Sequence, residues 1–253
     1  MLTHKDFIRK AAAISLVILI FPLLGLYEGS QFQFAQIAYN GNSDPRPRAY
    51  KRLMSSLELR TSVQVSYNKK TLSLANPDLF NYPFLYLAGD GSFESFSPEE
   101  RRKIRKYLKL GGTLIIDDVS GEKNSSFDKQ IREELVNIMP EIPLTPIGND
   151  HVVYKSFYLL NSVSGRKVIQ PYLEGITFRD EDRTAVFYSR NDLGGAWSED
   201  EFGKWEFEVI PGGEAQRERA MRLGINIIMY ALTGNYKKDQ VHTPFIKRRQ
   251  MNF

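Results

Sequence analysis

The chain has 253 residues, 42% hydrophobic and 12% aromatic, enough for one substantial core and short for two independent catalytic domains with linkers. It contains no cysteine, which excludes disulfides, thiolate metal sites and a cysteine nucleophile while leaving the redox compartment open. The formal net charge of +4 is matched by residues 237–253 alone, where Lys237, Lys238, Lys247, Arg248 and Arg249 outnumber Asp239, so the remainder is balanced and carries no nucleic-acid footprint.

Residues 11–27 are continuously apolar or small and follow Lys5, Arg9 and Lys10, the pattern of an export segment. Pro22 and Gly25 weaken the end of this hydrophobic helix and no Ala-x-Ala cleavage site follows, so a cleaved signal peptide and an uncleaved membrane anchor both fit. The positive-inside rule keeps the amino terminus cytoplasmic and sends the rest to the periplasmic side of the inner membrane. The chain therefore divides into a leader (1–30), an α/β domain (31–236) and a basic tail (237–253).

Past the leader, Phe32 to Tyr39 reads as a first strand, ended by the turn Asn40-Gly41-Asn42-Ser43-Asp44-Pro45. Tyr50, Leu53, Met54 and Leu57 share one helical face, and Ser62 to Tyr67 follows as a second strand. Phe84 to Ala88 is a short apolar strand broken by Gly89-Asp90-Gly91. Ser97-Pro98-Glu99-Glu100 then starts a helix with a capping box, and Gly111-Gly112 stops it. Thr113 to Asp117 is the next strand, parallel to its predecessor because a helix joins them. Phe127 to Ile138 repeats the helical spacing. In the irregular stretch that follows, Val152-Val153-Tyr154 and Val168-Ile169 suggest short strands. Ala185 to Tyr188 reads as the fifth main strand; a loop then holds both tryptophans, and a helix runs from Glu214 to Leu232. These elements predict a doubly wound, mostly parallel five-stranded sheet in the flavodoxin-like order 2-1-3-4-5, with an irregular β-containing excursion before the last strand.

That topology brings the loops after four strands to one edge and makes it the candidate site. His151, Asp117 and Asp192 are the candidate catalytic groups, with Asn40, Asp90, Asp118, Asn191 and Trp197 as candidate ligand contacts. Crowded carboxylates repel, which raises a pKa or invites a cation, and the same aspartates at strand ends also serve as helix caps and Asx turns. No P-loop, Gly-x-Gly-x-x-Gly or Gly-x-Ser-x-Gly appears, so no cofactor is predicted, and a divalent metal among the carboxylates is the alternative.

Several segments together resemble a bacterial family catalogued as domain of unknown function 4159. They are Tyr82 to Gly89, Phe96 to Glu100, Tyr107 to Asp118, Asp150-His151 before Ser156-Phe157-Tyr158, Leu173 to Ile176, Tyr188 to Gly194 with Trp197, and Gly224-Ile225-Asn226 ahead of Tyr230 to Thr233. The resemblance covers roughly Phe32 to Gly234 and implies a fold similar to class I glutamine amidotransferases, in exported or membrane-associated bacterial proteins. That fold uses a cysteine after its central strand. With no cysteine here, the amidotransferase chemistry does not carry over. Asp117, Asp118, His151, Asn191, Asp192 and Trp197 are the family-like positions, without roles attached.

The functional expectation is a ligand- or partner-binding domain of the bacterial envelope, without catalysis. Its expected partners are the inner membrane, through the leader, and envelope proteins. The alternative is a hydrolase using Asp/His general acid-base chemistry on a carbohydrate or other small substrate.

Overall fold

The computed structural model describes residues 31–233; the expected leader helix and basic tail lie outside the described residues. Seven strands form one sheet in the order β2-β1-β3-β4-β7-β6-β5. They are β1 (Phe32–Ala38), β2 (Val65–Ser73), β3 (Phe84–Gly89), β4 (Thr113–Asp118), β5 (Thr145–Pro146), β6 (Glu174–Phe178) and β7 (Arg183–Ser189). Neighbours from β2 to β7 are parallel, in the predicted order 2-1-3-4-5, with β7 as the fifth.

The sheet is nevertheless not five-stranded. β6 pairs antiparallel with β7, and β5 with β6, so the sheet is mixed. The hairpin turn between β6 and β7 includes Asp182 at φ 50, a left-handed conformation that an aspartate tolerates. These added strands cover what would otherwise be a bare edge on β7. Their sequence conceals them: β6 contains Glu174, Gly175 and Thr177, and β5 is only two residues long.

The helices are α1 (Ala49–Arg60), α2 (Pro98–Lys109), α3 (Ser126–Ile138), α4 (Leu193–Trp197) and α5 (Gly213–Thr233). Side chains alternate across a strand, and here both faces are covered, which is why β3 and the Leu114-Ile115-Ile116 part of β4 read as apolar runs. On one face Leu53 and Met54 of α1 and Leu223 and Ile227 of α5 pack with Phe34, Tyr86 and Phe187. On the other, Ile104 and Leu108 of α2 and Ile131 and Leu135 of α3 pack with Leu85, Leu87, Leu114 and Ile116. The predicted capping box of α2 is present, with Ser97 and Glu100 satisfying each other's backbone N–H groups. Past the end of α2, Gly111 takes φ 104, which a side chain would strain.

Three local expectations are corrected. β2 starts at Val65 rather than Ser62 and continues through Asn68-Lys69-Lys70-Thr71 to Ser73. It is an edge strand, so its polar residues meet solvent, and its register shifts against β1 between Gln33 and Ala35. Val152-Val153-Tyr154 belongs to a 3-10 turn, Val152–Lys155, rather than a strand. Val168-Ile169 lies in no strand.

This irregular stretch has few ladder partners, so side chains satisfy much of its backbone. Buried Asn226 of α5 accepts from the N–H groups of Phe157 and Tyr158 and donates to the carbonyls of Val153 and Tyr158. Gln216 donates to the carbonyls of Gly165 and Ile210, and Arg217 to those of Ala196 and Phe207. The excursion is thus fastened to α5. Among the described residues, no helix is long and apolar enough to cross a membrane.

Candidate functional site

The parallel register aligns Gly89 with Asp118 and Asp117 with Ser189, so the predicted loops do reach one edge of the sheet. Consecutive strand residues point to opposite faces, and Asp117 and Asp118 therefore separate. Asp117 enters the α1/α5 side with Tyr86, and Asp118 the α3 side with Ser125 and Asp128.

Asp117 and Asp192 are both fully buried and form a latch. Asp117 accepts from the backbone N–H groups of Leu193 (2.9 Å) and Gly194 (2.8 Å), the first turn of α4, and from the Tyr86 hydroxyl (2.7 Å). Asp192 caps the same helix by accepting from Gly195 N–H at 2.7 Å. A Cβ on Gly195 would lie 2.5 Å from the Asp192 carboxylate, so only glycine permits that approach. Asp192 itself adopts φ 54, ψ 66.

Two guanidinium groups close on Asp192. Arg46 donates through Nε (3.1 Å) and Nη2 (2.8 Å), a bidentate pair, and Arg166 donates through Nε. Arg46 also donates to the Val119 carbonyl at 3.2 Å and lies 4.2 Å over the Phe207 ring. Burial, and then the neighbouring Asp192 charge, push Asp117 up to about 7. Burial and Asp117 hold the Tyr86 phenol protonated, far above its ordinary range.

Asp118 is also fully buried. Its Oδ1 accepts from Ser120 N–H at 3.0 Å, an Asx-type turn, while Oδ2 has no hydrogen-bond partner among the described residues. Burial raises its pKa; the nearby Ser120 and Ser125 groups pull it back and Asp128 pushes it up.

The other candidates separate from this latch. His151 caps the 3-10 turn, accepting from Val153 N–H at 3.1 Å, and its Nε2 lies 2.9 Å from the Thr184 hydroxyl. Thr184 is the second residue of β7 and Ser189 the last, so His151 sits toward the opposite end of the sheet from Asp117. Asn191 is buried, accepting from Ile169 and Gln170 N–H and donating to the Gln170 carbonyl. It holds the segment that the sequence suggests as a strand. Trp197 is a core residue: its indole donates to the Ala220 carbonyl at 3.0 Å, and its ring packs against Gly224.

Asn40 and Asp90 are exposed on the β1/β3 side of the same edge. Asp90 accepts from Asn42, and Asn40 donates to Glu94 Oε2 at 2.6 Å. Here a cleft of about 420 Å³ opens beside the carboxyl ends of β1 and β2, lined by Asn40, Ser73, Glu94, Ser95, Ser97 and Glu100. This is next to the point between β1 and β3 where the strand order reverses, the usual place for a ligand in an open α/β sheet. Among the described residues, no group of three or more His, Cys, Asp or Glu side chains is arranged to hold a metal ion.

Asp117 and Asp192 are legible in the sequence, whereas Arg46, Arg166 and Tyr86, which hold them, are not. A buried acid requires a counter-charge, and Arg46 between Pro45 and Pro47, in the loop after β1, was the available signal. Nothing comparable marked Arg166.

Fold and site together define a doubly wound α/β domain whose central strand-end acids are closed into a buried latch. The chain belongs to the family described as domain of unknown function (DUF4159), which matches residues 33–232. No curated protein matches its sequence.

Proposed function

We propose that this is an amidotransferase-like domain without catalytic activity, exported or membrane-anchored, that binds a ligand or partner in the bacterial cell envelope. The observation that carries the reading is the consumption of Asp117 and Asp192. Both lie out of solvent, and their oxygens are occupied by backbone N–H groups, Tyr86, Arg46 and Arg166. A general acid or base must reach a substrate proton, directly or through one water, and this arrangement offers neither path. The amidotransferase-like part of the reading is supported by the five parallel strands with helices on both faces and an antiparallel extension. The envelope placement is supported by the basic and apolar sequence of the leader.

One observation favours the hydrolase alternative: Asp117, held at about 7, would exchange a proton near neutral pH. Complementation of a deletion strain separates the two readings. Asp117→Asn and His151→Gln variants, shown by circular dichroism to be folded, are expected to restore the wild-type phenotype; loss of complementation by either folded variant would favour catalysis. Fractionation of the full chain with the membrane or periplasm is the expected companion result, and a cytosolic product would remove the envelope placement.

A further inference from the structure

We infer that the cleft beside the carboxyl ends of β1 and β2 binds a neutral polyhydroxylated ligand of one or two sugar rings. This deepens the binding reading above by naming a site and a ligand class. At about 420 Å³ the cleft falls within the range of small-molecule sites, roughly 300–1,000 Å³. It lies next to the β1/β3 reversal where the crevice of a doubly wound sheet is expected, and forms when the segment after β3 folds back so that Glu94 N–H donates to the Asn40 carbonyl at 2.9 Å.

The lining chemistry selects the ligand. Of the two lining carboxylates, Glu94 Oε2 is engaged by Asn40 and Glu100 Oε2 by Ser97 N–H. Among the described residues these bonds engage one oxygen of each, so the second oxygens remain as two strong acceptors for ligand donors. No Lys or Arg lines the cleft, and the N-terminus of α2 is already answered by its own capping box, so the site does not suit an anion. Ser73, Ser95 and Ser97 add hydroxyls, which both donate and accept. A polyol matches that mixture, because each of its hydroxyls does the same. An ammonium ion matches only the carboxylates, since it has no acceptor for a serine proton. Tyr39 also lines the cleft. It is half-buried and fixed by its hydroxyl bond to the Ala88 carbonyl at 2.7 Å and by packing on Phe93 at 4.9 Å between ring centroids.

The test is calorimetric titration of the full-length protein with glucose, N-acetylglucosamine, maltose and cellobiose, with spermidine and citrate as charged comparators. Saturable binding of at least one saccharide is expected. The double variant Glu94→Gln, Glu100→Gln keeps both internal acceptor positions while removing the charges, and is expected to weaken binding about tenfold or more, equivalent to about 1.4 kcal/mol. If that variant fails to fold, Ser73→Ala with Ser95→Ala serves in its place, with the same direction expected. Asp117→Asn is expected to leave the affinity unchanged.

No saturation by any saccharide to about 10 mM, saccharide binding indifferent to the folded cleft variants, or a preference for spermidine or citrate would each overturn the inference. These failures differ from that of the non-catalytic reading, which falls on complementation by Asp117 and His151 variants.

Discussion

Two stretches of the same sheet edge carry acids, and they use them in opposite ways. At the ends of β4 and β7, Asp117, Asp118 and Asp192 are fully buried, and Asp117 and Asp192 are spent on holding α4 and two arginines. At the ends of β1 and β2, Glu94 and Glu100 stand at an open cleft with one oxygen each unengaged. A buried charge must be paired and hydrogen-bonded to exist there, so deep acids become structural, whereas acids at the rim are free to meet a ligand. Proximity of carboxylates in a topology diagram does not tell these cases apart.

Substitution at Asp192 should have the largest effect on the buried acids. Asp192→Ala strands Arg46 and Arg166 in a largely buried site and removes the cap of α4, so a loss of about 3–5 kcal/mol is expected in urea denaturation. A loss below about 1 kcal/mol would mean the latch is not structural.

Asp117 should reveal itself through pH. Its native pKa of about 7 exceeds the ordinary carboxylate value of 3.8, so the folded protein binds more protons between these values. This group's stabilising contribution is therefore fully present below about pH 4 and is lost as pH rises through about 7. Comparing wild type with Asp117→Asn in denaturant series at pH 5 and pH 8 should expose a difference of about 2 kcal/mol in pH dependence, with the variant flatter. Parallel curves would show that Asp117 does not titrate there.

At the rim of the cleft, Ser97→Ala breaks the α2 capping box and should cost about 1 kcal/mol. Smallest of all, Glu94→Gln at the cleft should alter stability by no more than about 0.5 kcal/mol, read from the denaturation midpoint. A large loss there would make the cleft acids as structural as the buried ones.

Much of the parallel half was legible because its signals are local. The apolar runs of β3 and β4, the box at Ser97-Pro98-Glu99-Glu100 and the stop at Gly111-Gly112 each follow from nearest-neighbour chemistry. The stretch between α3 and β7 was not legible. β6 lacks a hydrophobic period, and the chain from Val152 to Gln170 takes its shape from Asn191, Gln216 and Asn226, which lie 21 to 73 residues away in sequence. The site divides similarly. That Asp117 and Asp192 would converge followed from strand order, but their encounter with Arg46, and the removal of His151 to the far end of β7, involved contacts of long sequence separation.

The alternation of helix and strand, the parallel order of the main strands and the lack of thiol chemistry follow from residue order alone, since composition, periodicity and capping residues act over one or two turns of chain. Which acids are sealed and which face solvent is set by the packed fold. That depends on which face of the sheet a side chain enters and what covers it, and coverage is a property of elements distant in sequence.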